Sequence, residues 1–158
     1  MPEELQSTDI EILKLLQRDA SISTGAIAER LNLSQSPCWR RINRIEQEGL
    51  IRKRVALLDR LALGMEVVVF ATVSLTANGR QNLEAFENDI THYPEVMECY
   101  TMAGIWDYML KIVARDIAHY EAFVRNTLTT NPSIRELHSH MAVTEIKNST
   151  ELPLDTQL

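Results

Sequence analysis

Cysteine, glycine and proline are all scarce in this sequence. Two cysteines, Cys38 and Cys99, are too few for a disulfide framework or a cysteine-based zinc site. Five glycines and five prolines exclude a collagen-like or linker-like chain. No apolar run exceeds the five residues 67–71, far short of the ~20 that a membrane-spanning helix needs. Met1-Pro2-Glu3-Glu4 is acidic where a secretory leader would be basic and then apolar, so a soluble, cytoplasmic protein is expected. Catalytic signatures are also missing: there is no paired-carboxylate pattern, no nucleophile elbow and no phosphate loop. What is present is an ordinary globular composition. The chain is 45% apolar and 24% charged over 158 residues. That argues against wholesale disorder and fits one ordinary domain or two small ones, at ~100–200 residues per domain.

The net charge of −6 argues weakly against nucleic-acid binding, but the charge is unevenly spread. Residues 1–60 carry ten Lys/Arg and nine Asp/Glu, whereas residues 61–158 carry six and thirteen. Within 35–60, seven cations (Arg40, Arg41, Arg44, Arg52, Lys53, Arg54 and Arg60) face only Glu46, Glu48 and Asp59. Affinity for a phosphate backbone depends on nearby cations rather than on the whole-chain average. A solvated, charged helix face is the plainer reading of the same pattern.

The first sixty residues read as three helices. Ser7, Thr8 or Asp9 can cap a helix over 8–18, along which Ile10, Leu13, Leu16 and Gln17 are spaced, with Ile12 and Leu15 as further apolar positions. Ser21-Ile22-Ser23 breaks the chain before a short helix over 23–30. Asn32-Leu33-Ser34 is a tight turn, and Ser34 can cap a third helix that runs to about Glu48, where Gly49 supplies the usual C-terminal stop. Two helices joined by a three- or four-residue turn, the second one basic, make the helix-turn-helix pattern. In the third helix Cys38, Ile42 and Ile45 form an apolar stripe. Opposite it lie Ser36, Arg40, Asn43, Arg44 and Gln47, side chains of the types that read base edges or hold phosphates. Pro37 fits in the first turn, where its missing N–H is no loss. Trp39 sits on the flank and reads better as a packing residue than as a DNA wedge. Arg52-Lys53-Arg54 lies between apolar residues after Gly49 and reads as a strand or wing able to reach phosphates. An ordinary protected strand edge is the alternative.

The remainder alternates strand and helix signals. Residues 66–75 are rich in β-branched side chains and apolar on both faces, so this strand needs cover on both sides. A helix is expected over 80–90, strands over 96–102 and 107–114, a helix through Ile117, Tyr120, Val124 and Leu128, and a last strand over 134–146. The order β-α-β-β-α-β is the ferredoxin-like split motif. The fold class is therefore α+β: a winged helix-turn-helix (1–60), a linker (61–65), a βαββαβ domain (66–147) and a polar tail (148–158). An RNA-binding sheet would need an aromatic signature in its third strand, which Asp107-Tyr108-Met109-Leu110-Lys111-Ile112 lacks.

Three smaller features bear on chemistry. His138 and His140 share a strand face, but no third metal ligand is apparent and packing is the plainer reading. Cys38 falls on an apolar stripe and reads as a small buried hydrophobe. At 102–107, Gly104 lets a ligand approach the backbone, and Asp107 could face an ammonium group. An aspartate capping its own turn explains the same residues.

Six stretches in order then carry a family resemblance. They are Thr8-Asp9-Ile10-Glu11-Ile12-Leu13, Leu33-Ser34-Gln35-Ser36-Pro37-Cys38-Trp39-Arg40-Arg41-Ile42, Glu48-Gly49-Leu50-Ile51, Tyr93-Pro94-Glu95-Val96-Met97-Glu98-Cys99, Ala103-Gly104-Ile105-Trp106-Asp107-Tyr108-Met109-Leu110 and Glu145-Ile146-Lys147. Over about residues 6–153 the sequence resembles the Lrp/AsnC (feast/famine) transcription regulators. Cys38-Trp39, the stretch 53–59 and Glu151-Leu152-Pro153-Leu154 resemble a subgroup with cysteine-responsive and leucine- or methionine-responsive members. The resemblance implies a regulator that binds double-stranded DNA and is controlled by a small amino acid such as leucine, methionine or cysteine. It also implies homodimers paired through their sheets, often assembled into octamers, with no metal and no catalytic residue. The DNA-contacting candidates are Ser34, Gln35, Ser36, Trp39, Arg40, Arg41, Asn43, Arg44, Arg52, Lys53 and Arg54. The effector candidates are Met102, Gly104, Trp106, Asp107 and Ser139. Ile105-Trp106 stands where acidic or small residues are common, so Trp106 either enlarges an apolar contact or obstructs the pocket. The competing reading is an effector-independent architectural protein that wraps DNA as an oligomer.

Overall fold

The computed structural model describes residues 5–76 and 80–154. The four residues of the acidic start and the last four of the expected polar tail lie outside the described residues. Contacts divide the chain into two units, Met1–Leu57 with Lys147–Leu158, and Leu58–Ile146.

The first unit holds three helices: α1 (Ser7–Arg18), α2 (Thr24–Arg30) and α3 (Gln35–Gln47). The capping residue of α1 is Gln6, one position ahead of the three candidates. Asp9 takes the Gln6 N–H from the third helical position, at 3.0 Å, so two helix-end donors are satisfied reciprocally. Ser23 caps α2 by accepting the Ala26 N–H at 3.2 Å. Ser34 stands at the cap position of α3 but makes no side-chain cap bond. Asn32 turns the chain between α2 and α3 with φ +52°, a conformation asparagine tolerates better than most residues. Ile12, Leu16, Ile27, Ala28, Cys38, Ile42 and Ile45 make one buried cluster, on the stripes their 3–4 residue spacing sets out. The expected basic strand does not form: residues 52–59 contain no strand among the described residues. No neighbouring strand offers its backbone a ladder, and side chains hold the segment instead. Arg54 donates to the Ala20 carbonyl at 3.1 Å and to Glu46 at 2.7 Å.

The second unit is a four-stranded sheet with helices on one side. Its strands are β1 (Val67–Leu75), β2 (Val96–Thr101), β3 (Tyr108–Ala114) and β4 (Ile134–Met141), in the order β2-β3-β1-β4 with every neighbouring pair antiparallel. This is the split β-α-β arrangement the element order called for. Helices α4 (Arg80–Ile90) and α5 (Ile117–Phe123) lie between the strands in sequence. Val69, Ala71, Val73 and Leu75 of β1 share one core with Phe86, Ile90, Leu110, Ile112, Phe123 and Leu128. On the other face of β1, Val68, Thr72 and Ser74 are buried while Phe70 stays 39% exposed.

Two element ends differ from the sequence reading. The last helix does not run regularly to Leu128. It passes at Val124 into a π-helical turn over Val124–Leu128, where Thr129 N–H reaches the Val124 carbonyl at 2.9 Å. Strand β4 stops at Met141 rather than Ile146. Among the described residues β4 is an edge strand whose one neighbour is β1. Met141 pairs with Val69, one further bond joins Ala142 N–H to the Val68 carbonyl, and β1 then has almost no length left to pair with. Among the described residues no helix is long and apolar enough to cross a membrane.

Candidate DNA-reading surface and effector turn

The exposed side of α3 is sorted by a single buried carboxylate. Asp9 lies on the same face of α1 as Ile12 and Leu16, and it is fully buried. A charge in such a place needs partners, and α3 supplies both. Arg41 donates to Asp9 Oδ1 at 2.9 Å and Arg44 to Asp9 Oδ2 at 2.6 Å. Arg41 also donates to the Gln6 side chain at 2.7 Å. Burial pushes the Asp9 pKa up, but the bonds from Arg41, the Gln6 N–H and Arg44 outweigh it and hold the carboxyl below its usual value. The two helices are thereby clamped by a charge-assisted network.

This clamp divides the eleven DNA candidates. Ser34, Gln35, Ser36, Trp39, Arg40, Arg52 and Lys53 are exposed, and Asn43 is partly so. Arg40, Arg52 and Lys53 make no ion pair among the described residues. Arg41 and Arg44 are held by Asp9, and Arg54 by Glu46. Trp39, 56% exposed, does not serve as the packing residue the sequence suggested. Arg40, Arg41, Arg44, Gln6 and Pro37 line a cationic depression of about 340 Å³, a shape and charge suited to a phosphate group. Asp9 was missed as a counter-ion in the sequence, although a signal existed. A lone carboxylate three and seven residues ahead of two core positions sits on the apolar stripe of its own helix.

The effector candidates separate as well. Met102, Gly104, Trp106 and Asp107 lie together in the β2–β3 turn, which Met102 N–H closes on the Asp107 carbonyl at 2.9 Å. Gly104 has φ +152°, a backbone state that disfavours any side chain. Asp107 does not cap its own turn. It accepts the Leu75 N–H at 2.7 Å and so ties the turn to the end of β1. Its second carboxylate oxygen has no partner among the described residues. The Trp106 ring rests against His138, 4.5 Å between centroids. Ser139 stands elsewhere. It pairs with Ala71 in the ladder, and its hydroxyl meets that of Tyr120 on α5.

A model of the Lrp/AsnC ligand binding domain matches residues 68–152, and a winged helix-turn-helix DNA-binding model matches residues 5–52. The chain belongs to the Lrp/AsnC family. It is 37% identical over 151 residues to the transcriptional regulator AzlB of Bacillus subtilis, which covers 96% of each chain. Among solved structures it is similar to an AsnC family transcriptional regulator from Agrobacterium tumefaciens, with a TM-score of 0.93, 39% identity and coverage of 98% of this chain and 100% of that one. It is also similar to a transcriptional regulator from Neisseria meningitidis in complex with L-methionine, with a TM-score of 0.92, 32% identity and coverage of 96% and 97%. This Lrp/AsnC protein is accordingly a DNA-binding transcriptional regulator and not an enzyme. Its ligand-binding domain disfavours the purely architectural reading.

Cys38 finds a structural role in this regulator. Cys38 is buried with its thiol 3.8 Å from the Thr24 carbonyl, and burial pushes its pKa up, the behaviour of a packing residue. His138 lies 3.8 Å from Glu136, and among the described residues no cluster of three metal-ligating side chains occurs.

Proposed function

We propose that this regulator reads duplex DNA with the exposed row of α3, led by Arg40 and flanked by Gln35, Ser36, Trp39 and Asn43, while Arg52 and Lys53 contact phosphates. The observation that carries the reading is the Asp9 clamp. It engages Arg41 and Arg44 and leaves Arg40 as the α3 cation with no ion pair among the described residues. A titration of labelled duplex DNA at several salt concentrations tests it. Tight binding with a steep inverse dependence on salt is expected. Binding that is indifferent to salt would sink the reading.

The effector we propose is a small amino acid with an apolar side chain (leucine, methionine or cysteine) seated at the 102–107 turn. Backbone N–H groups around Gly104 face its carboxylate, the second oxygen of Asp107 its ammonium, and Met102 and Trp106 its side chain. The methionine complex of the Neisseria relative supports this ligand class. Asp107→Ala is expected to abolish the calorimetric response to L-methionine, L-leucine and L-cysteine while leaving DNA affinity in place. Wild-type heats of binding in that variant would contradict the assignment.

A homodimer, assembled further into an octamer, is the proposed working form. Phe70 on the open sheet face and the exposed Leu58, Leu61, Leu63, Val143 and Ile146 are more apolar surface than a lone subunit ordinarily leaves in water. Sedimentation equilibrium should give a dimer or a larger species at micromolar concentration. A monomer would remove the proposal.

A further inference from the structure

The chain passes between its two units twice, at Leu57–Leu58 and again at Ile146–Lys147, because the segment after the sheet rejoins the helices of the first unit. The second passage ends in a specific grip. The Gln17 side chain takes both backbone groups of Leu152: its Nε2 donates to the Leu152 carbonyl at 3.1 Å, and the Leu152 N–H donates to its Oε1 at 2.9 Å. An amide side chain offers a donor and an acceptor side by side, so it can imitate the pairing a neighbouring strand would make. Beside it, Arg18 reaches Glu151 at 3.1 Å. Leu152 and Leu154 lie along a mostly apolar cavity of about 430 Å³ shared with Leu13, Leu16, Ile51 and Val55.

These bonds are solvent-exposed, which is the character of a segment that opens locally before the rest of the fold. They also act on a telling helix. α1 is a single 12-residue helix with Gln17 in its last turn and Asp9 in its first. We propose that residues 148–154 form a releasable strap, that Gln17 is its grip, and that strap tension on α1 positions the DNA-reading helix through Asp9. Gln17 is thus a positioning residue that touches no DNA. Residues 142–147 join the end of β4 to the strap. The positioning role rests on the DNA-reading function proposed above; the existence of the grip does not.

The test uses the full-length chain with Gln17→Ala, with Leu152→Pro (which deletes the donated N–H), and with both. Amide hydrogen exchange is read in α1 and in β3, and DNA affinity is read separately. Exchange in α1 should accelerate about tenfold in each single variant, with β3 unchanged as proof that the second unit is unaffected. DNA affinity should fall several-fold, and the double variant should be no worse than either single one, as for two halves of one contact. Glu151→Ala, which removes only the Arg18 pair, should give a smaller shift in the same direction. Unaltered α1 exchange in both single variants would eliminate the grip. Faster exchange with unchanged DNA affinity, or effects that add in the double variant, would overturn the positioning role. Should wild-type protein bind no DNA, the functional reading fails while the exchange result still decides the strap.

Discussion

Asp9→Ala is expected to destabilise the DNA-binding unit by about 2–3 kcal/mol. Removing one member of a buried ion network strands the others, here two guanidinium groups whose side chains keep 30% and 25% exposure. That residual contact with water brings the cost to or just below the lower edge of the range for fully buried pairs, roughly 3–5 kcal/mol. For a unit of this size the loss corresponds to a fall of about 4–8 °C in Tm per kcal/mol. Trp39 fluorescence in a Trp106→Phe background follows this unit's unfolding. A loss below about 0.5 kcal/mol, the level of an ordinary surface substitution, would show that the network contributes little. The same carboxylate sets an acid limb. Its pKa is lowered on folding, so its contribution is complete above the unfolded value of about 4 and disappears as pH falls through the lower folded value. Asp9→Asn should flatten stability against pH in that acid window and leave the neutral range without slope.

Arg40→Ala is expected to weaken binding to a specific duplex by about 1–3 kcal/mol, or roughly fivefold to 150-fold, if the guanidinium reads a base. If it contacts a phosphate, the loss is uniform across sequences and the salt slope falls by about 1. Thermal stability should not change, since Arg40 is exposed and makes no ion pair among the described residues. Arg44→Ala should behave in the opposite way. It removes a 2.6 Å bond to Asp9, so its first effect is on unfolding, with any DNA effect following from that. Anisotropy titrations paired with melting curves separate the two classes. Equal loss of affinity without loss of stability in both variants would mean that the clamp opens on DNA.

The sequence treats Arg40 and Arg44 alike, and the difference between them shows where sequence reading stops. Both lie on the polar side of α3 by helical spacing. Which of them meets solvent depends on a carboxylate 31 and 35 positions earlier in the chain, on a different helix. Ser139 is a similar case. The resemblance names it with the effector residues without placing it, and ladder register sets it beside Ala71 with its hydroxyl against that of Tyr120. Trp39 erred in the other direction, since nothing local told whether a neighbour would cover it. The end of β4 and the absent basic strand have a common cause. A β-strand exists only where another strand supplies its hydrogen bonds, and the residues 142–146 and 52–59 look strand-like with no such partner among the described residues.

What the amino-acid order determined alone was everything that depends on neighbours within one or two turns. It set the three helices and their apolar stripes, the glycine and asparagine turns, the β-branched strands, the βαββαβ order and the basic segment that pointed to DNA. Those signals are local because side-chain periodicity and backbone preference act over a few residues. Only the tertiary structure decided which cations are engaged, which oxygen of Asp107 holds β1, and where the C-terminal segment returns. Charges, hydrogen-bond donors and strand edges are satisfied by whatever the fold brings beside them, and that proximity has no periodicity in the chain.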